Sequence, residues 1–232
     1  DLIITLGIIS LLISLTISSI NSVRRRAVAL QCQSNLRQVG IAGLLYANDN
    51  ADFALRDASY WKPEFGWWPV EVARYIAPKV KLVRESDLSR VPVLQCPAHP
   101  KKNVPTEFVV NAFAFEAGEP PESFVAGPTK LSQIRTPEKV AWFFDGGNTL
   151  KTVFSKHDYI EHVVFHDVWS LSHLPAPGRM SRIDVTRHLP GSTNVLFFDG
   201  HVATVSVQEI TLSMLDDGID LHGARIANNP LL

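Results

Sequence analysis

The chain has 232 residues, 22 Lys and Arg against 23 Asp and Glu, and a formal net charge of -1. That length admits one globular unit with an appendage, and near-neutral charge without a long basic run excludes an electrostatic footprint for nucleic acid. The two cysteines, Cys32 and Cys96, are too few for a disulfide scaffold and lack the sequence spacing of a zinc site.

From Leu2 to Ile20 the chain is uncharged and dominated by Leu and Ile. This run is close to the roughly 20 apolar residues that cross a bilayer core of about 30 Å. Its polar residues are the hydroxyls Thr5, Ser10, Ser14, Thr16, Ser18 and Ser19, which can bond back to the preceding helical turn. Arg24, Arg25 and Arg26 follow, where an interfacial headgroup zone would lie. A buried soluble helix is the plainer alternative. A secretory signal is disfavoured because the apolar run is longer than such a core and passes straight into arginines.

No proline occurs before Pro63, and Cys32, Leu36, Val39, Gly43 and Tyr46 recur at helical spacing. The helix is therefore predicted to continue as an amphipathic stem and to stop at Asn48-Asp49-Asn50, residues that favour turns and left-handed helix ends. Gly40 and Gly43 would let a sheet or a second helix approach closely. The chain divides into a membrane half at 1–25, a stem at 26–50 and a globular domain at 51–232.

Beyond the stem, Tyr60-Trp61 and Trp67-Trp68-Pro69 form an aromatic cluster. It reads as a hydrophobic lid over a sheet, with a sugar-binding face as the alternative. Val70–Ile76 is a short helix candidate closed by Pro78. The stretch Leu131–Ile134 with Pro137–Lys139 reads as a connection into a buried strand, Val140–Phe144, which ends at Asp145-Gly146.

The word Phe-Phe-Asp-Gly returns at Phe197–Gly200. An Asp-Gly pair between apolar runs is a hairpin signal, since a type I′ turn needs positive φ at both central residues. A two-residue Asp199-Gly200 loop predicts that Phe198 faces His201, Phe197 faces Val202 and Leu196 faces Ala203. Together these elements predict an α+β fold, a long helix on an antiparallel sheet.

Histidines crowd two regions, one holding His157, Asp158, His162, His166, Asp167 and His173, the other His188, Asp199 and His201. His162 and His166 have the i, i+4 spacing of helical zinc ligands. The stretch Tyr159–His166 alternates just as well as a strand, and no Glu follows His162 as a protease helix would require. The sequence also lacks a phosphate loop, a nucleophile elbow and a CxxC pair. The expectation is no catalytic residue, no metal and no cofactor.

Asp1-Leu2-Ile3-Ile4 with the apolar run, Arg24-Arg25-Arg26-Ala27, Gln31-Cys32-Gln33-Ser34-Asn35-Leu36-Arg37-Gln38 and Tyr46-Ala47-Asn48-Asp49 resemble the N-terminal segment of bacterial type IV pilin-like proteins. The group in question has a prepilin-type cleavage and methylation segment and a C-terminal processing-associated domain, as in planctomycete-like and verrucomicrobia-like bacteria. The second match is Arg187–Val202, against a family pattern of His, nine residues, Asp-Gly; here ten residues separate His188 from Asp199. Leu94-Gln95-Cys96-Pro97 and Val110-Asn111-Ala112 also resemble family landmarks, while residues 147–186 do not.

The resemblance implies that Asp1 stands where the family usually has Glu, five places into the mature chain, with four residues and a basic leader ahead of it. It implies a pilin-like fold and a pseudopilin role without enzymatic activity. The subunit would sit in the inner membrane as a single pass with an extracytoplasmic domain, and would assemble into a surface filament or a type II secretion-like pseudopilus. Its partners would be homologous pilin-like subunits, the lipid bilayer and, for the precursor, prepilin peptidase. Asp1 would neutralise a neighbouring subunit's terminal amine, which is costly to bury uncompensated. His188, Asp199 and Gly200 would form an architectural lock. Outside the membrane Cys32 and Cys96 could pair; a disulfide and two separate thiols are both open. The rival functions are a tethered glycan-binding module using Trp61, Trp67 and Trp68, and a membrane-anchored metallohydrolase using the histidines.

Overall fold

The computed structural model describes residues 2–55, 67–99, 104–112, 130–147, 167–168, 173–175, 181–211 and 214–215. Asp1, Trp61, His157, Asp158, His162 and His166 lie outside that set. Helix α1, Leu2–Asp49, runs 48 residues without a break, about 70 Å at ~1.5 Å per residue. In its first half Ser10 Oγ donates to the Gly7 carbonyl at 2.9 Å, so this hydroxyl is satisfied inside the helix. Among the described residues, no helix is long and apolar enough to cross a membrane; the side chains at 8, 12, 14–19, 21 and 22 are not among them.

Burial divides α1 in two. Leu2, Ile3, Ile4, Leu6, Ile20 and Val23 are exposed, whereas Cys32, Asn35, Leu36, Val39, Ala42, Tyr46 and Ala47 are buried. The second set recurs every three or four residues, the stripe expected of a helix with one face on a core. The helix ends close to the predicted Asn-Asp-Asn stretch, but the left-handed residues are Ala51, at φ 54°, and Asp52, at φ 73°. Asp52 N returns to the Ala47 carbonyl at 2.8 Å. The Asp52 carboxylate accepts from Ser132 N at 3.0 Å, which ties the helix end to the 131–133 turn.

Among the described residues five strands follow: β1 Phe108–Asn111, β2 Ala141–Asp145, β3 Asp167–Val168, β4 Ser192–Phe197 and β5 Val202–Ser206. They line up as β3-β1-β2-β4-β5. The pairs β1/β2, β2/β4 and β4/β5 are antiparallel, as expected, while the two-residue β3 joins the β1 edge in parallel. A second helix, α2 Trp68–Ile76, has Pro69 in its first turn, where a missing N–H costs nothing.

Alternating side chains give the sheet two buried faces. Phe108, Val110, Trp142, Phe143, Leu196 and Phe198 pack with the α1 stem and α2. Val109, Phe144, Val195, Phe197 and Val205 pack with Ile183, Ile210 and Leu215. Trp68 is wholly buried and meets the Phe143 ring edge-on at 4.8 Å, which makes it part of the lid and removes it as a sugar contact. Gln33 on the stem donates to Asn194 Oδ1 at 3.1 Å and to Thr204 Oγ1 at 2.8 Å, fixing the helix across β4 and β5.

The β4/β5 hairpin differs from the predicted register by one residue. Leu196 faces Val202 and Val195 faces Ala203. Gly200 N donates to the Phe197 carbonyl and Phe197 N to the His201 carbonyl, both at 2.9 Å. The loop therefore holds three residues, Phe198-Asp199-Gly200, with only Gly200 at positive φ, 89°. This is the turn-plus-bulge closure that competes with a two-residue type I′ loop. It is preferred because both phenylalanines find aromatic partners: Phe197 stacks on His201 at 4.2 Å and Phe198 on Trp142 at 4.9 Å. Gly200→Val should destabilise the domain by about 1–3 kcal/mol, the cost of a strained backbone position. An unchanged denaturation midpoint would show that the backbone at this position does not need glycine.

Candidate functional site

A cluster of chemically active side chains sits where the stem, β2 and two loops meet. Cys32 enters from α1 and Asp145 from the last position of β2. Cys96 comes from the loop after the 3₁₀ turn at Pro92–Leu94, and His188 from the segment before β4. The ligand atoms of Cys32, Cys96 and His188 all lie within 4.8 Å of one another. Cys96 Sγ is 3.4 Å from His188 Nε2. Cys32 Sγ is 3.4 Å from Asp145 Oδ1, and His188 Nε2 is 3.7 Å from Asp145 Oδ2. Both cysteines and Asp145 are 0% exposed, and the His188 side chain is 4% exposed.

Each member is held from outside the cluster. The Cys96 loop is gripped by Asn35, whose amide donates to the Gln95 carbonyl at 2.7 Å and the Pro92 carbonyl at 3.3 Å. Cys96 N donates to Glu107 Oε2, and Glu107 Oε1 lies 3.2 Å from His99 Nδ1. Asp145 Oδ2 accepts from Asn194 N at 2.9 Å. His188 is positioned by its neighbour: Asp184 Oδ1 accepts from Thr186 N at 2.8 Å and Arg187 N at 3.1 Å, a tight Asx-type turn. The Arg187 guanidinium then donates to Asp184 Oδ2 at 3.1 Å and to the Gly146 carbonyl.

The electrostatics follow from burial. Removal from water pushes the Asp145 carboxyl up to about 6, against the pull of Arg187, His188 and Asn194 N. The Cys96 thiol is lowered to about 4 by the Cys32 side chain donating to it, helped by His188 and Arg187. The same shared hydrogen bond, with burial and Asp145, pushes Cys32 up. Burial opposes charge on His188, yet Cys96 and Asp145 outweigh it and raise this imidazole. The arrangement thus sets two sulfurs, an imidazole and a carboxylate against one another in a nearly dry pocket. Its thiolates, imidazole and carboxylate are also soft and borderline metal ligands.

No protein-family model matches the chain, and no curated protein or solved structure does either.

His188 and Asp199, grouped in the sequence motif, have different partners. His188 belongs to the buried cluster, whereas Asp199 accepts from His201 N at 3.0 Å and lies 2.6 Å from His201 Nδ1 at the hairpin tip. Cys32 and Cys96 are both buried free thiols, and their sulfurs lie within 4.8 Å of each other. The sequence reading missed Asp145, Arg187 and Asn194. It took Asp145-Gly146 as a strand end like Asp199-Gly200, but Gly146 lacks a positive φ, bridges to Ile183 and takes no part in a hairpin turn. A carboxylate directly after Val140–Phe144, a run of uninterrupted apolar residues, was the available signal. His173, from the first histidine region, is described in part: burial lowers its imidazole to about 3.

Proposed function

We propose that this chain is a membrane-anchored, pilin-like structural subunit that gathers through its N-terminal helix into a filament or pseudopilus and displays its α+β domain outside the membrane. The observation that carries the reading is the division of one unbroken helix. Its second half is bound into the core, while Leu2, Ile3, Ile4, Leu6, Ile9 and Ile20 stand exposed in its first half. Such an aliphatic surface is unfavourable in water, at about 25 cal/mol per Å². Lipid or the helices of other copies would cover it. Arg24, Arg25 and Arg26 mark the border between the two halves. On this reading the acidic Asp1 meets a neighbouring copy's terminal amine, and prepilin peptidase acts on the precursor.

The test uses the full chain in a bacterial host. It should pellet with membranes and resist alkaline extraction, and a photo-crosslinker at Ile9 should join copies within the membrane. Deleting residues 1–25 should release a soluble protein with the same thermal transition, because the buried stripe begins at Cys32. A full chain that stays in the soluble fraction, or a membrane-bound one without crosslinks between copies, would sink the proposal.

A further inference from the structure

We infer that Cys32, Cys96 and His188, with Asp145 as the fourth donor, form a closed site for one Zn²⁺ ion that clamps the stem helix to the sheet. The site is independent of membrane insertion or assembly. A tetrahedral zinc ion with sulfur at about 2.3 Å and nitrogen or oxygen at about 2.0–2.2 Å sets its ligand atoms about 3.4–3.8 Å apart. Here the Cys32, Cys96 and His188 ligand atoms all lie within 4.8 Å of one another, Cys96 Sγ is 3.4 Å from His188 Nε2, and the two Asp145 oxygens lie 3.4 Å from Cys32 Sγ and 3.7 Å from His188 Nε2. Cys32 and His188 approach different oxygens of Asp145, so its carboxylate would turn to bring one oxygen onto the ion shared by the other three ligands.

Charge and chemistry agree with the distances. Two thiolates and a carboxylate carry three negative charges, of which Zn²⁺ offsets two; the Arg187 guanidinium beside the site is shared with its ion-pair partner Asp184 at 3.1 Å. Two sulfurs, one imidazole and one carboxylate in a tetrahedral set select zinc over calcium or magnesium, which need more oxygen ligands. Cys32, Cys96 and Asp145 are fully buried and only the His188 side chain, 4% exposed, reaches toward the surface, a seclusion closer to structural than to catalytic zinc sites. The ligands are already held by hydrogen bonds from outside: Asn194 N donates to Asp145 Oδ2, and the Glu107 carboxylate accepts from Cys96 N. His188 also lines a surface groove with Arg25, Arg26, Gln33, Leu189 and Thr204, which supplies an entry path.

A Cys32–Cys96 disulfide is the competing use of the same sulfurs, and it would leave His188 and Asp145 buried without them. The zinc site uses all four. Sequence spacing could not show it, because the ligands lie at 32, 96, 145 and 188 on separate elements.

The test takes the full chain in detergent, purified with a phosphine reductant, stripped of metal and titrated with Co²⁺ and then Zn²⁺. The expected result is one Co²⁺ per chain with intense tetrahedral visible bands and a thiolate-to-cobalt charge-transfer band, both erased by one equivalent of Zn²⁺. Only Cys32 and Cys96 can produce that band, since the chain has no other cysteine; the histidine-rich stretch cannot. Cys96→Ser should remove at least half of the charge-transfer intensity per chain, and Asp145→Asn should weaken Zn²⁺ binding by at least the roughly 10- to 100-fold typical of losing an outer hydrogen-bond partner. Weak octahedral bands without a thiolate band, or no retained metal in the wild-type chain, would overturn the inference. A stoichiometric Cys32–Cys96 disulfide in protein isolated from cells with its thiols trapped would overturn it as well. The wild-type spectrum decides even where a variant fails to fold.

Discussion

Trp142→Ala is expected to cost about 3–5 kcal/mol of folding stability, the range for removing a large aromatic from a packed core. Trp142 is fully buried in β2 and stacks on Phe198 at 4.9 Å and against Phe143 at 5.6 Å. Its indole N–H donates to the Leu55 carbonyl at 2.7 Å, so the substitution also orphans a buried acceptor. The ring reaches the stem at Gly43, where an added Cβ would lie 2.4 Å from the Trp142 ring. Gly43→Ala should therefore lose about 1–3 kcal/mol through overpacking, although alanine is the better helix former by about 1 kcal/mol. Because the two changes touch the same contact, the double variant should lose clearly less than the sum. Urea denaturation of the four proteins measures this, and strictly additive losses would show that stem and sheet do not meet through this ring.

Arg187→Met should cost a further large amount, about 3–5 kcal/mol, as expected when one partner of a buried ion pair is removed. The Arg187 side chain is 2% exposed and that of Asp184 8%. Burial opposes its charge, but Asp145 and Asp184, with the two thiols, raise the guanidinium above its ordinary value. The group also donates to the Gly146 carbonyl and, at 3.5 Å, to that of Glu107. Lysine keeps the charge but not this planar fork, so Arg187→Lys should recover only a minor part of the loss. A midpoint within experimental error of wild type for Arg187→Met would mean that the neighbouring carbonyls and Asp184 are satisfied without it.

Local pattern was enough for several elements. The unbroken first helix, its buried stripe through Cys32, Leu36, Val39, Gly43 and Tyr46, the α2 segment and the buried strand after Val140 follow from apolar period and proline placement. Such features depend on residues three or four apart on a helix, or on alternate residues of a strand, and a sequence displays them directly. The resemblance to pilin-like proteins rests on the same local words. The function proposed from it rests on the helix surface that those words describe.

Where two local rules competed, the tertiary structure decided. Phe-Phe-Asp-Gly occurs twice, yet only Asp199-Gly200 turns the chain; the loop has three residues because Phe197 and Phe198 each gain a stacked ring. At the other copy the strand passes through Asp145 into Gly146, and the carboxylate is drawn inside, since β2 lies between β1 and β4 and both its faces are covered. The candidate site belongs wholly to this second category. By itself the sequence determined a long helix with an apolar half and a packing half, and a short buried sheet beside it. The meeting of Cys32, Cys96, Asp145 and His188 was decided only by the strand order and the angle of the stem across it, because residues so far apart in the chain converge through packing and not through spacing.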